Sequence, residues 1–173
     1  QASKKAVKHL IDLGHKKIAI VTGELKHKVS IDRLQGYKDA LKGSSIEERN
    51  DYISEGSYKV QGGMEAAEKL LSLEDPPTAI FACNDEMAVG VIRAAEAKGM
   101  EIPKDLAVVG FDDIPLSTMI EPEITTIRQP RYSIGKTAMQ LIIDIINGKK
   151  LKDKCIFLES ELIVRKSCGA YLK

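Results

Sequence analysis

At 173 residues, 43% hydrophobic and 29% charged, the chain has apolar sequence for one packed domain or one and a half, and is excluded from the disordered class. Its 26 Lys and Arg nearly balance 25 Asp and Glu, so composition gives no electrostatic footprint for nucleic acid. Cys83, Cys155 and Cys168 are too few and too scattered for a disulfide framework or a zinc site. No membrane-length apolar run and no signal peptide is present, so a reducing cytoplasm is the expected setting. Gln1 in place of a start methionine suggests a fragment or a processed product.

Residues 3–13 read as a helix with Val7, Leu10 and Ile11 on one face, and Gly14 is placed to end it in the left-handed conformation. Residues 17–22 carry Ile18-Ala19-Ile20-Val21, a first buried strand. A polar loop over 23–29 follows, and Ser30 is expected to cap a helix whose inward face is Leu34, Tyr37 and Leu41. Residues 51–55 read as a short second strand. A third helix is expected over 60–73, with Met64, Ala67, Leu70 and Leu71 inward. Pro76-Pro77 breaks the chain before a third strand over 78–83. Asn84-Asp85 then opens a helix to Lys98, closed by Gly99, and Ala107 to Phe111 forms the fourth strand.

Strands thus alternate with helices four times, which predicts an α/β fold with a doubly wound parallel sheet. The pattern changes after Phe111. An irregular stretch over 112–123 leads to a strand at 124–128, a helix over 134–147 capped by Ser133 and ended by Gly148, and two β-rich runs at 154–158 and 161–165.

In an open α/β sheet, ligands bind outside the carboxyl ends of the strands. Arg33, Tyr58, Asn84 and Asp112 fall just past the ends of the four strands, Gln129 ends the fifth, and His27 lies in the first loop within reach of a ligand. An Arg fork and a carboxylate can grip vicinal hydroxyls, an Asn amide can donate and accept, and a Tyr ring can cover an apolar face. The set suits a sugar or another small polyhydroxylated ring. Each residue also has a plainer use. Asn84 and Asp85 can cap the following helix, Asp85 the more readily. Arg33 can pair with Asp32 or Glu24, Tyr58 can be core, and Asp112-Asp113 can shape a turn.

Enzyme readings find little support. No phosphate loop, dinucleotide fingerprint, HExxH or GxSxG elbow occurs. His15 sits at a strand entrance, away from the carboxyl end. Asp112 and Asp113 are adjacent on an extended chain and point to opposite sides, which argues against a paired acid and base.

Several runs, in order and spacing, resemble the lactose/galactose repressor family: Gly14-His15-Lys16-Lys17-Ile18-Ala19, Arg33-Leu34-Gln35-Gly36-Tyr37, Asn84-Asp85-Glu86-Met87-Ala88, Val108-Val109-Gly110-Phe111-Asp112-Asp113, Thr125-Thr126-Ile127-Arg128-Gln129-Pro130 and Arg165-Lys166-Ser167. The run over 58–148 is most similar to sugar-type members and to the catabolite-control type. The resemblance implies a bacterial transcription repressor. Its periplasmic-binding-protein-like core would close on an effector, and an N-terminal helix-turn-helix, outside this chain, would hold operator DNA. Residues 1–123 would then be the C-terminal lobe, 124–149 a return segment of the N-terminal lobe, and 150–173 the closing strands. The family's ligand contacts carry over to Arg33, Tyr58, Asn84, Asp112 and Gln129. No cofactor, metal or membrane is implied.

Two departures narrow the effector. Purine-type members carry Arg and Thr where this chain has His27 and Val29, which weakens a purine. Arg131 stands where several sugar-binding members have an aromatic. A phosphocarrier protein, the partner of the catabolite-control type, is disfavoured, since only Arg131 and Lys136 are nearby cations and Asn84 and Asp112 keep sugar-binding types. A homodimer is expected through the helix at 86–98 and the turn at 116–120, where Met87, Val91, Ala94, Ala95, Met119 and Ile120 exceed what one core-facing stripe needs. A periplasmic sugar-binding protein of a transporter is the alternative. Three cysteines, the missing export signal and the GHKKIAI, TTIRQP and VRKS runs speak against it.

Overall fold

The computed structural model describes residues 1–149 and 155–172. Its elements are α1 (Ala2–Asp12), β1 (Ile18–Thr22), α2 (Lys28–Gly43), β2 (Ile53–Glu55), α3 (Val60–Leu70), β3 (Ala79–Ala82), α4 (Asp85–Ala97), β4 (Ala107–Asp112), β5 (Thr125–Arg128), α5 (Arg131–Ile146) and β6 (Glu161–Ile163), with single 3-10 turns at Asn50–Tyr52 and Pro115–Thr118. The strands form one sheet in the order β2-β1-β3-β4-β5-β6. β1 to β5 are parallel and β6 runs antiparallel to β5. The expected sheet is therefore mostly, not wholly, parallel.

β1 and β3 are buried along their whole length and β4 up to Phe111, which is why they read as unbroken apolar runs rather than alternating ones. α1 packs with α2 and α3 with α4, each pair lying against the sheet. Tyr37 of α2 is fully buried, and its hydroxyl reaches back to donate 2.8 Å to the Ile18 carbonyl of β1. Gly14, Gly99 and Gly148 take the left-handed backbone expected after α1, α4 and α5. Ser167, in the closing segment, donates from Oγ to the Val108 carbonyl at 2.6 Å and accepts from the Thr125 amide at 2.9 Å, joining β4 to β5.

Several expectations are corrected. α2 begins at Lys28, so Ser30 is a buried residue of its first turn and not its cap. The second strand is shortened by a 3-10 turn over Asn50–Tyr52. α3 ends at Leu70, and its buried face is Gly62, Gly63, Ala66, Ala67 and Leu70, with Met64 and Leu71 only half-buried. α5 starts at Arg131 with Pro130 at its cap, three residues before the start expected at Ile134, so Ser133 lies in its first turn and is not its cap. Residues 155–158 form no strand, and Lys154 of that expected run lies outside the described residues. Strand 161–165 is cut to Glu161–Ile163.

Two further features concern the strand after β4 and the surface of α4. Thr125–Arg128 is β5, hydrogen-bonded to β4 in the same sheet. Met87, Val91, Ala94 and Ala95 are at most 1% exposed, since α4 packs both against α3 beside it and against β3 and β4 beneath it. They supply no spare apolar surface for a dimer. Of the residues named for that face, Met119 is 74% exposed.

Candidate functional site

Because β1 to β5 run in one direction, their carboxyl ends share one edge of the sheet. Arg33, on the second turn of α2, reaches across this edge. Its guanidinium carbon lies 3.9 Å from the centre of the Phe111 ring, Nη1 donates to the Cys83 carbonyl, and Nη2 donates to Asp112 Oδ1 at 3.3 Å. Ring, carbonyl and carboxylate hold the fork from three sides, so it is pre-organised, with 12% of its side chain exposed. Pairing of Arg33 with Asp32 or Glu24 does not occur; those carboxylates meet Lys28 and Lys26.

Asp112 ends β4 with φ 108° and Asp113 follows at φ 52°, both in the left-handed region that non-glycine residues rarely adopt. This double kink sends the two carboxylates apart. Asp112 Oδ1 accepts from Arg33 and, at 2.6 Å, from Gln129 Nε2. Asp113 turns into the protein. It accepts from Arg165 Nη2 at 2.6 Å, Arg128 Nε at 2.6 Å and Ser117 Oγ at 3.2 Å. Burial pushes the Asp113 carboxyl up, but the hydrogen bonds from Arg128 and Arg165 outweigh it and hold the group below the usual carboxylate range.

Tyr58 forms the other wall. At φ 61°, it lays its ring across Gly23, where any Cβ would overlap the ring. Its hydroxyl pairs with Ser30 Oγ, and its ring centre lies 6.5 Å from that of His27, the residue before α2. Asn84 is spent differently from the expectation. Its Oδ1 accepts from the Met87 amide at 2.9 Å as the cap of α4, and its Nδ2 donates 2.9 Å to the Tyr58 carbonyl. One N–H and one lone pair of the amide remain for a ligand. The structure thus joins Arg33, Asp112 and Gln129 in one hydrogen-bonded cluster, and His27, Tyr58 and Asn84 in a second group beside it.

Asp85, the readier helix cap by sequence, does not cap α4. It is fully buried, and its carboxylate accepts from Thr126 Oγ1 at 2.6 Å and from the Ile114 amide at 2.8 Å. Burial, with Asp112 and Asp113 nearby, pushes its carboxyl up to about 6 against the pull of those two hydrogen bonds. Sequence reasoning also missed Ser30 as the partner of Tyr58 and Arg165 as the partner of Asp113. The Arg165-Lys166-Ser167 run was the available signal for the latter. Cys83 has a fully buried thiol pushed up to about 12 by burial, so it is not a nucleophile. His15 lies at the strand entrances against Thr78 Oγ1, 3.0 Å away. Among the described residues, no three His, Cys, Asp or Glu converge as metal ligands would, and no helix is long and apolar enough to cross a membrane.

A cavity of about 330 Å³ opens between α5 and residues 156–160, with Gln129 in its wall. Its remaining lining is largely apolar, and α5 buries none of its residues.

The periplasmic binding protein-like domain model matches residues 7–168. Catabolite control protein A of Priestia megaterium is 43% identical over 168 residues, covering 96% of this chain and 51% of that protein. The transcriptional repressor CytR of Escherichia coli K12 is 39% identical over 165 residues, 95% of this chain and 48% of that one. The chain belongs to the LacI-type regulator family. Among solved structures, the transcriptional regulator CelR–cellobiose complex superimposes with a TM-score of 0.91 at 32% identity, over 96% of this chain and 51% of that one. Transcription regulator CcpA of Lactococcus lactis gives 0.89 at 31% identity, over 96% and 61%. The chain spans about half the length of the curated relatives it matches.

Proposed function

We propose that this chain is the effector-sensing lobe of a cytoplasmic LacI-type transcriptional repressor, and that a sugar binds at the corner formed by Arg33, Asp112, Gln129 and Tyr58. The carrying observation is the shared oxygen. Asp112 Oδ1 takes donors from Arg33 and Gln129, while among the described residues no donor reaches Oδ2. A sugar hydroxyl can donate to Oδ2 and a second can accept from the guanidinium or the Gln129 amide. Arg33 and Asp112 cancel in charge, which favours a neutral polyol over an anion. The Tyr58 ring, backed by Gly23, offers the apolar face that a pyranose or furanose ring covers. His27 lies at the mouth beside that ring. The name of one relative, the ribose operon repressor of Haemophilus influenzae, and the cellobiose bound in the CelR structure support the sugar class.

Residues 129–149, with α5 uncovered, are the part we assign to the other lobe, and residues from 155 onward return to this one. Ligand closure would then be transmitted through Gln129-Pro130 to a DNA-holding segment outside this chain. The test is calorimetry of the full-length protein against a panel of pentoses, hexoses and disaccharides, with Asp112→Ala as control. Micromolar binding of one sugar that Asp112→Ala abolishes supports the reading. Binding of none, or of one that ignores the substitution, overturns it.

A further inference from the structure

The two left-handed residues that aim Asp112 into the cleft need something to hold them, and the holding group is on another element. After Asp112, the next two backbone amides both end on Asp85. The Ile114 amide donates directly to Asp85 Oδ2 at 2.8 Å. The Asp113 amide donates to Thr126 Oγ1 at 3.4 Å, and that hydroxyl donates to Asp85 Oδ1 at 2.6 Å. The carboxylate reaches this position only because residue 110 is glycine: a Cβ there would overlap Asp85 Oδ1. Asp85 is also the first residue of α4, where a negative charge is favoured by the helix dipole. It is fully buried, yet the Asn84 amide, and not Asp85, caps the helix. Its oxygens are therefore committed to the turn.

We propose that Asp85 is a positioning residue for the effector site: its buried carboxylate holds the turn after β4 in the conformation that points Asp112 at Arg33 and Gln129. The proposal rests on reading that corner as the effector site. A turn with two non-glycine residues at positive φ persists only when its surroundings over-determine it. Here the determination comes from β5 through Thr126 and from α4 through Asp85, the two elements that flank β4. The required property is acceptor capacity facing Ile114, not charge. From β4 and β5, Asp85 meets the uncharged Gly110 and Thr126; the charged groups near it, Asp112 and Asp113, are both acidic and favour a neutral group there. Asparagine, which keeps an oxygen for the Ile114 amide and an N–H for Thr126 Oγ1, should therefore serve, and alanine should not.

The experiment is proton–nitrogen correlation NMR of this chain with Asp85→Ala, Asp85→Asn and Thr126→Val, with no ligand present. The reporters are the backbone amides of Asp113 and Ile114 and the side-chain amide of Gln129, which donates to Asp112. Asp85→Ala should move all three, sending the Gln129 pair to the position of surface glutamines, while the amides of α1 and β1 stay in place. Asp85→Asn should restore the parent positions. Thr126→Val, close to isosteric, should shift Asp113 and Gln129. If the Gln129 side chain and the Ile114 amide keep their parent positions in Asp85→Ala, the proposal is wrong. Should Asp85→Ala lose the core signals as well, Thr126→Val decides alone, and unmoved reporters there overturn it. Because no sugar is involved, a failed effector assignment would show only in the calorimetry.

Discussion

Asp112 Oδ1 and Gln129 Nε2 lie 2.6 Å apart, so the last residue of β4 is tied directly to the residue that precedes Pro130 and α5. A ligand that engages Asp112 must share or displace this contact, and displacement would be felt at the start of α5. Removing one side of a buried charged contact costs about 2–5 kcal/mol, so Asp112→Ala should weaken effector binding by roughly thirty-fold or more. Gln129→Ala removes a neutral donor, worth roughly 0.5–1.5 kcal/mol, and should cost only about two- to ten-fold. Calorimetry on both variants, after circular dichroism shows them folded, ranks the two. Equal losses would remove the special place given to the carboxylate.

Asp113 should matter for folding and not for ligand contact. Its pair with Arg165 is largely buried, with side-chain exposures of 9% and 12%, while Arg128 is 47% exposed and contributes less. Breaking a buried pair costs on the order of 3–5 kcal/mol, because the abandoned arginine stays buried. Asp113→Ala should lower the urea midpoint accordingly. A midpoint within error of the parent would show that the Arg165 contact is incidental.

The two buried carboxylates should pull stability in opposite directions with pH. Asp113 is held below its ordinary range, so its contribution is fully present above the unfolded value of about 3.9 and is lost as pH falls through its lower folded value. Asp85 is raised to about 6, so its contribution is fully present below about 3.9 and is lost as pH rises through about 6. The parent should therefore gain unfolding free energy as pH falls from ~6 to ~4, a rise that Asp85→Asn should lack. A variant whose profile matches the parent across that window would contradict the raised value.

Gly90 sets how closely α4 approaches α3. A Cβ there would overlap the Val60 carbonyl oxygen and crowd the Met64 amide, both backbone. In an open helix, Gly→Ala stabilises by about 0.8–1 kcal/mol. Overpacking against rigid backbone costs about 1–3 kcal/mol or more, so the sign should reverse here. Thermal unfolding of Gly90→Ala should fall below the parent, with Gly43→Ala, where a Cβ meets nothing, as the control that does not.

α5 leaves a row of apolar side chains open: Met139, Ile142, Ile143, Ile145 and Ile146 are each at least 43% exposed. Contiguous apolar surface of this kind drives association. This chain should therefore self-associate with rising concentration, and Ile142→Glu with Ile146→Glu should return it to a monomeric mass in light scattering. Association that survives those substitutions and yields to Met119→Glu would instead restore the face first expected near α4.

What the sequence determined alone is the scaffold. Short unbroken runs such as Ile18 to Val21 and Val108 to Phe111, bounded by turn signals, read as strands buried on both faces, and their alternation with helical periods points to a parallel layer whose carboxyl ends share one edge. Arg33, Asp112 and Gln129 were legible because position past a strand end needs no knowledge of partners. What only the tertiary structure decided is how each side chain is used. Of the neighbours Asn84 and Asp85 the sequence favoured Asp85 as the cap, yet Asn84 caps because Thr126 and the Ile114 amide, 41 and 29 residues away, claim Asp85. The apolar surplus of α4 looked like an interface because local sequence cannot show that α3 covers it. That residues 125–128 pair with β4 was likewise decided by a contact across the sheet, written in hydrogen bonds and not in periodicity.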